Sequence, residues 1–299
     1  MAMTAPLLLV DAYSMIYRAF YAIRLLTGPQ GQPVNAILGF TKMLRKYLAE
    51  HRPAHCAVVF DLGAPHERLQ LLPSYKAQRP PTPPDLEAQV PVIRAMLAAM
   101  RVPVVECDGE EADDLIATLA CQAAAAAQPV LIASNDKDFA QLVNDQIRLL
   151  QAGTQGDVIL DAAAVQTKYG VRPAQFADLL SLIGDTADNI PGVPGIGEKT
   201  AQDLLRRFDS LDALLARVTE VERPKLRESL QTHRDQIQRN RQLVQLRTAV
   251  KLPVAWNELP VVRPDYPAWR AALERHGLKN LAAEVAKESR QGEDLFAGF

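Results

Sequence analysis

Cysteine is scarce: the 299 residues hold three, Cys56, Cys107 and Cys121. They form no C-x-x-C pair and no regular framework. That excludes a disulfide scaffold and a thiolate metal cluster, and reads as buried thiols in a reducing, cytoplasmic setting. No apolar run approaches a membrane span, and "PLLLV" near the start is too short for a signal peptide. Neither sign of charge dominates; the net charge of −2 argues against a globally basic nucleic-acid binder. The five histidines are scattered, and no Ser–His or Cys–His pairing offers a nucleophile.

What is present is ordinary for a globular chain, 48% hydrophobic and 23% charged, and is enough for a sizeable core with a second module. Four short runs, "LLLV" (7–10), "AVVF" (57–60), "VPVV" (102–105) and "VLIA" (130–133), are apolar throughout, as strands buried on both faces are. Helical stretches at 34–50, 85–100 and 111–127 lie between them. Strand alternating with helix predicts an α/β fold, a mostly parallel central sheet with helices on both faces. The stretch 66–86 breaks this rhythm with clustered prolines preceded by basic and aromatic residues, and reads as a long excursion from the sheet. Beyond about 170 the strand signal fades into short helices with glycine and proline punctuation.

Acids gather at the strand ends. "LLLV" runs into Asp11 and "AVVF" into Asp61. "VLIA" is followed by Asp136 and Asp138, and the third run leads into Glu111, Asp113 and Asp114. A single aspartate after a strand is ordinarily a cap or turn residue. Four strands delivering acids to one sheet edge, where open parallel sheets bind ligands, exceed what capping requires. Such a cluster raises its own pKa values and strains the fold unless cations compensate. With no His or Cys in the set, hard Mg²⁺ or Mn²⁺ fits better than zinc. "GDTADN" adds Asp185 and Asp188. Setting these nine acids aside leaves 26 acids against 33 lysines and arginines, a basic body around an acidic pit. That combination suits a polyanion under hydrolytic attack, since two metals about 4 Å apart activate a water and stabilise the leaving oxygen of a phosphodiester.

"GVPGIGEKTA" (192–201) is neither a P-loop, because Glu198 separates Gly197 from Lys199, nor a dinucleotide fingerprint, because a third glycine is missing. It reads as a tight turn opening a helix at about 198. One reading is a plain helix–turn–helix connection. The other is a phosphate seat in which Gly192, Gly195 and Gly197 let backbone amides approach and Lys199 adds charge. Arg206, Arg207, Arg223, Lys225, Arg227, Arg234, Arg239 and Arg241 downstream favour contact with a duplex backbone, although acids are mixed among them.

The ordered motifs "VDAYSMIYRAF", "VVFD", "YKAQRPPTPPDL", "EEADDLIATLA", "ASNDKDFAQLV" and "IGDTADNIPGVPGIGEKTA" resemble the 5′-nuclease family, the bacterial flap endonucleases and the 5′–3′ exonuclease domain of DNA polymerase I, from about residue 7 to at least 250. The resemblance implies a PIN-like nuclease core over 1–170 and a duplex-binding helical module over 171–290, with a flexible tail at 291–299. Two metal sites are implied, one on Asp11, Asp61, Glu111 and Asp113, the second on or around Asp114, Asp136, Asp138, Asp185 and Asp188. It also implies a helical arch including 66–86, through which a single-stranded 5′ end passes. There Arg68, Tyr75, Lys76 and Arg79 would meet the scissile phosphate and flap, and Arg18 would contact phosphate near the first strand. The glycine turn, with Lys199 and Thr200, looks like the family's helix–two-turn–helix, often with K⁺ on its carbonyls. Two departures are Ala12, where the family commonly has glycine, and Tyr13, where it has a smaller or polar residue.

The expected partners are DNA with a 5′ flap, nick, gap or overhang, including RNA-primed DNA, and the expected state is a monomer. The expected roles are primer removal in replication and excision repair, in the cytoplasm at the nucleoid. The chain is expected to be a free-standing nuclease or the nuclease part of a polymerase. "GEDLFAGF" reads as a natural tail whose "DLF" resembles the end of sliding-clamp-binding peptides, against the plainer reading of a frayed end. Two rival functions are a non-catalytic junction binder, which gains nothing from acids that repel phosphates, and a small-substrate phosphatase, which needs neither arch nor turn.

Overall fold

In the computed structural model, which describes residues 5–153 and 156–291, six strands make one sheet. They are β1 (Leu7–Asp11), β2 (His55–Val59), β3 (Val104–Val105), β4 (Val130–Ala133), β5 (Ile147–Gln151) and β6 (Val158–Leu160), in the order β3-β2-β1-β4-β5-β6. Every neighbouring pair is parallel except the antiparallel β5–β6. From β1 the chain steps outward to β2 and β3, then crosses to the other side of β1 for β4 and β5. The strand order therefore reverses between β1 and β4, the place where open α/β sheets form their ligand crevice.

Strand residues alternate between two apolar layers. Leu7, Leu9, Ala57, Val59, Val130 and Ile132 face one, which also holds the helix Ala112–Ala125. Leu8, Val10, Cys56, Val58 and Leu131 face the other, with the helices Ala12–Ala22, Asn35–His51 and Val90–Met100. Burial on both faces is why these runs carry no polar alternation.

The structure differs from the sequence reading at four places. β5 and β6 were not anticipated: exposed Arg148 interrupts the apolar run of β5, and β6 is a three-residue edge with Val158 and Ile159 outward. β3 is shorter than "VPVV", since Pro103 has no N–H to give a ladder. The helix expected at 85–100 is two, Pro84–Glu87 and Val90–Met100. At the break, buried Gln89 accepts from the amides of Ala36 (2.8 Å) and Ile37 (3.2 Å), so its side chain caps the neighbouring helix. The excursion 66–86 is helical only at His66–Leu71 and in the final Pro84–Glu87 turn; the intervening segment is a turn and an extended proline run.

The C-terminal part divides in two. Helices Phe176–Ile183, Glu198–Phe208, Leu211–Ala216, Pro224–Thr232 and Arg234–Val244 extend the first apolar layer. The chain then returns to the sheet. Leu259 O accepts from Cys56 N at 2.9 Å, and the helices Tyr266–Arg275 and Lys279–Gln291 bury Trp269, Leu273, Leu281 and Val285 in the second layer. The expected single module over 171–290 is thus split between both faces of the sheet. Among the described residues no helix is long and apolar enough to cross a membrane.

Trp269 is fully buried, with the Arg45 guanidinium 5.8 Å from its ring. Trp269→Ala is expected to cost about 3–5 kcal/mol in urea unfolding. A loss below about 1 kcal/mol would mean that the last two helices are dispensable to the core.

Candidate active site

The switch point delivers the acids. Asp11 ends β1 and caps the helix Ala12–Ala22, accepting from Ser14 N at 3.0 Å; its second oxygen accepts from Ser134 Oγ, just past β4, at 2.7 Å. Asp61, past β2, accepts from Ala112 N at 2.9 Å, which ties it to the helix bearing Asp113. Asp136 caps the 3₁₀ turn Lys137–Leu142 by accepting from Asp138 N at 2.9 Å. Asp11, Asp61, Asp113 and Asp136 line one cleft of about 250 Å³ together with Tyr13, Tyr17, Lys76 and Arg79. Tyr13, the family departure, forms part of its wall with its ring edge-on to Phe60 at 5.9 Å.

Burial raises these carboxyls. It lifts Asp11 to about 7, with Asp61 and Asp136 adding repulsion against the Ser134 and Ser14 hydrogen bonds. Asp113 is held well above the carboxylate range by burial and by Asp136 and Asp11. Burial also raises Asp136, and Asp138 well above the ordinary range, the latter with Asp136, Asp185 and Asp188 adding their charge. Asp61 rises by burial of its inner side, but its outer surface is open to water, which screens the effect.

Cations from other segments answer this charge. Lys76 ion-pairs with Glu111 and lies 3.9 Å from Asp188. Arg79 binds Asp188 at 2.7 Å, and Lys137 binds Asp185 at 2.9 Å. The segment carrying Lys76 is seated on the 185–189 turn, with Lys76 N bonded to Asp188 O at 3.0 Å and Asn189 Nδ2 to Ser74 O at 2.7 Å. Lys76 adopts φ 55°, a left-handed backbone that a non-glycine residue keeps only when its surroundings enforce it.

Four residues expected at the site lie elsewhere. Arg68 and Tyr75, expected on the arch, are buried at 6% and 5% exposure. Arg68 grips Asp114 and Glu111, and the Tyr75 hydroxyl donates to Asp188 at 2.8 Å, so neither presents a face to a flap. Asp114 faces away from the cleft, fully buried between Arg68 and Arg247. Arg18 lies in a neighbouring recess and donates to Gly153 O at 2.7 Å.

Among the described residues no three His, Cys, Asp or Glu side chains form a ready-made cage for an ion. The donors nevertheless suit a hard cation. They are all oxygen, and Asp138 Oδ1 is buried without a hydrogen-bond partner among the described residues. Mg²⁺ in particular keeps several waters and takes only one or two carboxylates directly.

The glycine turn joins the helices Phe176–Ile183 and Glu198–Phe208. A Cβ at Gly192 would be driven into the Ile183 carbonyl, whereas Gly195 and Gly197 have open space where a Cβ would stand. Gly197 precedes the helix without a side-chain cap, so the first-turn amides remain available. Lys199 is exposed and Thr200 half-buried beside it. Arg223 and Lys225 line a cleft with Gly195, while Arg206, Arg207 and Arg241 are taken up by Asp203, Glu222 and Asp212 at 2.7, 2.9 and 2.7 Å. Sequence reasoning passed over Ser134, Lys137 and Arg247. The first two stand inside the quoted "ASNDKDF" motif, but Arg247 reaches Asp114 from 133 positions away and carries no local signal.

Two family models match end to end: the 5′–3′ exonuclease N-terminal resolvase-like domain over residues 6–170, and the 5′–3′ exonuclease C-terminal SAM fold over 171–267. A 5′–3′ exonuclease of Aquifex aeolicus is 34% identical over 285 residues, covering 95% of this chain and 96% of its own length. The chain belongs to the 5′–3′ exonuclease family. DNA polymerase I of Bacillus caldotenax is 37% identical across 99% of this chain, which spans about a third (34%) of that relative's length. The fold matches a crystal structure of the bacteriophage T5 flap endonuclease with DNA and metal ions, at a TM-score of 0.69 and 21% identity, covering 96% of this chain and 100% of that one. The first family model contains the acidic cleft and the second the glycine turn, so the strand-end acids and the turn fall in different modules of one family.

A carboxyl with a raised folded pKa holds its proton more tightly folded than unfolded. Its contribution to stability is therefore full at low pH and lost as pH rises through the folded value, about 7 for Asp11. His51 and His276, both lowered by burial, act in the opposite sense, so Asp11→Asn serves as the reference. From about pH 5.5 to about pH 8, metal-free protein should lose on the order of 1–2 kcal/mol relative to that variant in urea titrations. A difference that stays flat with pH would show that Asp11 titrates normally.

Proposed function

We propose that the chain is a divalent-metal-dependent, structure-selective 5′ nuclease, cutting flaps and nicked or gapped DNA near the single-strand junction and removing nucleotides from 5′ ends. The observation that carries this reading is the convergence of carboxyls from the ends of β1, β2 and β4, and from the helix after β3, on one cleft rimmed by Lys76 and Arg79. Asp11, Asp61, Glu111 and Asp113 would hold one ion, and Asp136, Asp138, Asp185 and Asp188 the other, with Mg²⁺ or Mn²⁺ as the cation. Held there, the two ions would supply activation of a water and stabilisation of the oxygen that leaves the phosphodiester. Asp114 supports the cleft from behind.

The chain's own groups do the rest. Lys76 and Arg79 offset charge that builds on the phosphate in the transition state. Tyr13 and Tyr17, the rings that line the cleft, offer faces on which an entering base can stack. The open amides at Gly195 and Gly197, the following helix start, Lys199, Arg223 and Lys225 hold the duplex by its phosphates without reading sequence. K⁺ would sit on the turn carbonyls. Pro191 O already accepts from both Gln236 and Asn240, at 3.0 and 2.8 Å, whereas Gly192 O accepts only from Gln236, at 3.1 Å, which leaves it a second lone pair.

The biological setting would be primer removal and excision repair, either as a free nuclease or within a longer polymerase I, since both kinds of relative align along the chain. The "DLF" segment proposed for clamp contact lies outside the described residues.

An end-labelled 5′-flap duplex tests the reading. Cleavage should need Mg²⁺ or Mn²⁺, stop with chelator, and fall at least about 10³-fold in Asp136→Ala while duplex binding persists. Binding without any cleavage by the unaltered chain would favour the junction-binder rival. In the turn, Gly197→Ala should fold normally, within about 0.5 kcal/mol, yet bind duplex several-fold more weakly. Gly192→Ala should instead destabilise the fold, because its Cβ has no room. Equal behaviour of the two would deny that Gly197 faces DNA.

A further inference from the structure

We infer that Arg68 is a positioning residue, one that fixes Glu111 and locks the acidic cleft to the glycine turn, and that it makes no contact with flap phosphates. The inference rests on the nuclease reading above.

Every nitrogen of its guanidinium is engaged. Nη1 donates to Glu111 and, at 2.6 Å, to Asp114; Nη2 donates to Asp114 at 2.9 Å and to Gln245 O at 3.3 Å; Nε donates to Leu243 O at 3.0 Å. Asp114 is in turn gripped from its other side by Arg247, through N at 2.9 Å and Nε at 3.0 Å. A phosphate could reach Arg68 only by breaking this buried lattice. Burial opposes the Arg68 charge, but Asp114 and Glu111 outweigh it.

Each partner leads somewhere functional. Glu111 is held by Arg68 on one side and by Lys76, at the cleft, on the other. Leu243 and Gln245 mark the C-terminal end of the helix Arg234–Val244. Nearer its start, Gln236 donates to Pro191 O and Gly192 O, and fully buried Asn240 donates to Pro191 O at 2.8 Å and Ser181 O at 3.2 Å. One helix therefore grips the glycine turn at one end and Arg68 at the other. Arg68 is the joint through which the duplex seat and the carboxylate cleft keep a fixed spacing.

Arg68→Lys separates positioning from phosphate contact. Lysine keeps the positive charge a phosphate would need, but one ammonium cannot hold two carboxylates and two carbonyls in a planar fork. The expected result is a roughly tenfold weaker Mn²⁺ affinity by calorimetry without DNA. The KM for a 5′-flap duplex should change less than about twofold, and the slope of log Kd against log salt should not change. The cut should also spread to neighbouring phosphodiesters.

Unchanged Mn²⁺ affinity overturns the inference. So does a salt slope that falls by about 0.7 in Arg68→Gln with metal binding intact, since that marks a single-strand phosphate contact. Should neither variant fold, a crystal structure of the unaltered chain with a flap duplex decides: Arg68 still on Asp114 upholds the inference, and Arg68 moved to a phosphate oxygen ends it. If the unaltered chain neither takes up Mn²⁺ nor cuts, the nuclease reading itself fails, a result distinct from any of these.

Discussion

Like charges gathered at the end of a parallel sheet set the terms for the rest of this molecule. Two carboxylates about 4–6 Å apart repel by roughly 3–4 kcal/mol at the effective dielectric of a protein surface, and a whole domain is stable by only about 5–15 kcal/mol. Nine acids in and around one cleft therefore need countercharge built into the fold. Lys76, Arg79 and Arg68 come from the excursion after β2, Lys137 from the turn after β4, and Arg247 from just past the helix Arg234–Val244. The excursion folds down onto the 185–189 turn and does not stand away as a free arch, because its cations are bound where the acids are.

The same residues do two jobs. Asp11 caps a helix and Asp136 caps a 3₁₀ turn, while Asp61 accepts from the first amide of the helix that carries Asp113. Capping and site-building are therefore not alternatives in this fold. Each cap occupies one carboxylate oxygen and so fixes the direction of the other. For Asp11 that second oxygen meets Ser134 across the switch point, which couples β1 to the loop after β4. Local hydrogen-bond needs aim the acids, and the strand order brings them together.

What the sequence made legible follows from that division. Strand ends, acids after apolar runs and a glycine turn before a helix are local patterns, and they were readable because each depends on residues within a few positions of one another. The fate of Arg68 and Tyr75 was not readable. Their place on an exposed arch came from motif position, whereas their partners stand 46 and 113 residues away in sequence. Gln89 broke a helix for an equally distant reason: its side chain serves the amides of Ala36 and Ile37. The helices after 265 are amphipathic like those before them, and nothing in their own residues says which face of the sheet they cover.

Charge on the helical module likewise cannot be judged by counting. Eight basic residues after the glycine turn looked like a duplex surface, yet Arg206, Arg207 and Arg241 are neutralised by acids on the same module. Arg227 donates to the Thr219 and Val221 carbonyls. Screened surface pairs of this kind add little to stability and contribute little net field. In the proposed duplex contact, phosphate would meet Lys199, Arg223 and Lys225 around Gly195 and Gly197, where the backbone is open and no side chain caps the helix, with exposed Arg239 elsewhere on the module. A duplex held there would meet a few fixed donors and not a diffuse basic face. That is the arrangement needed if the distance from the duplex seat to the acids is to decide where the chain is cut.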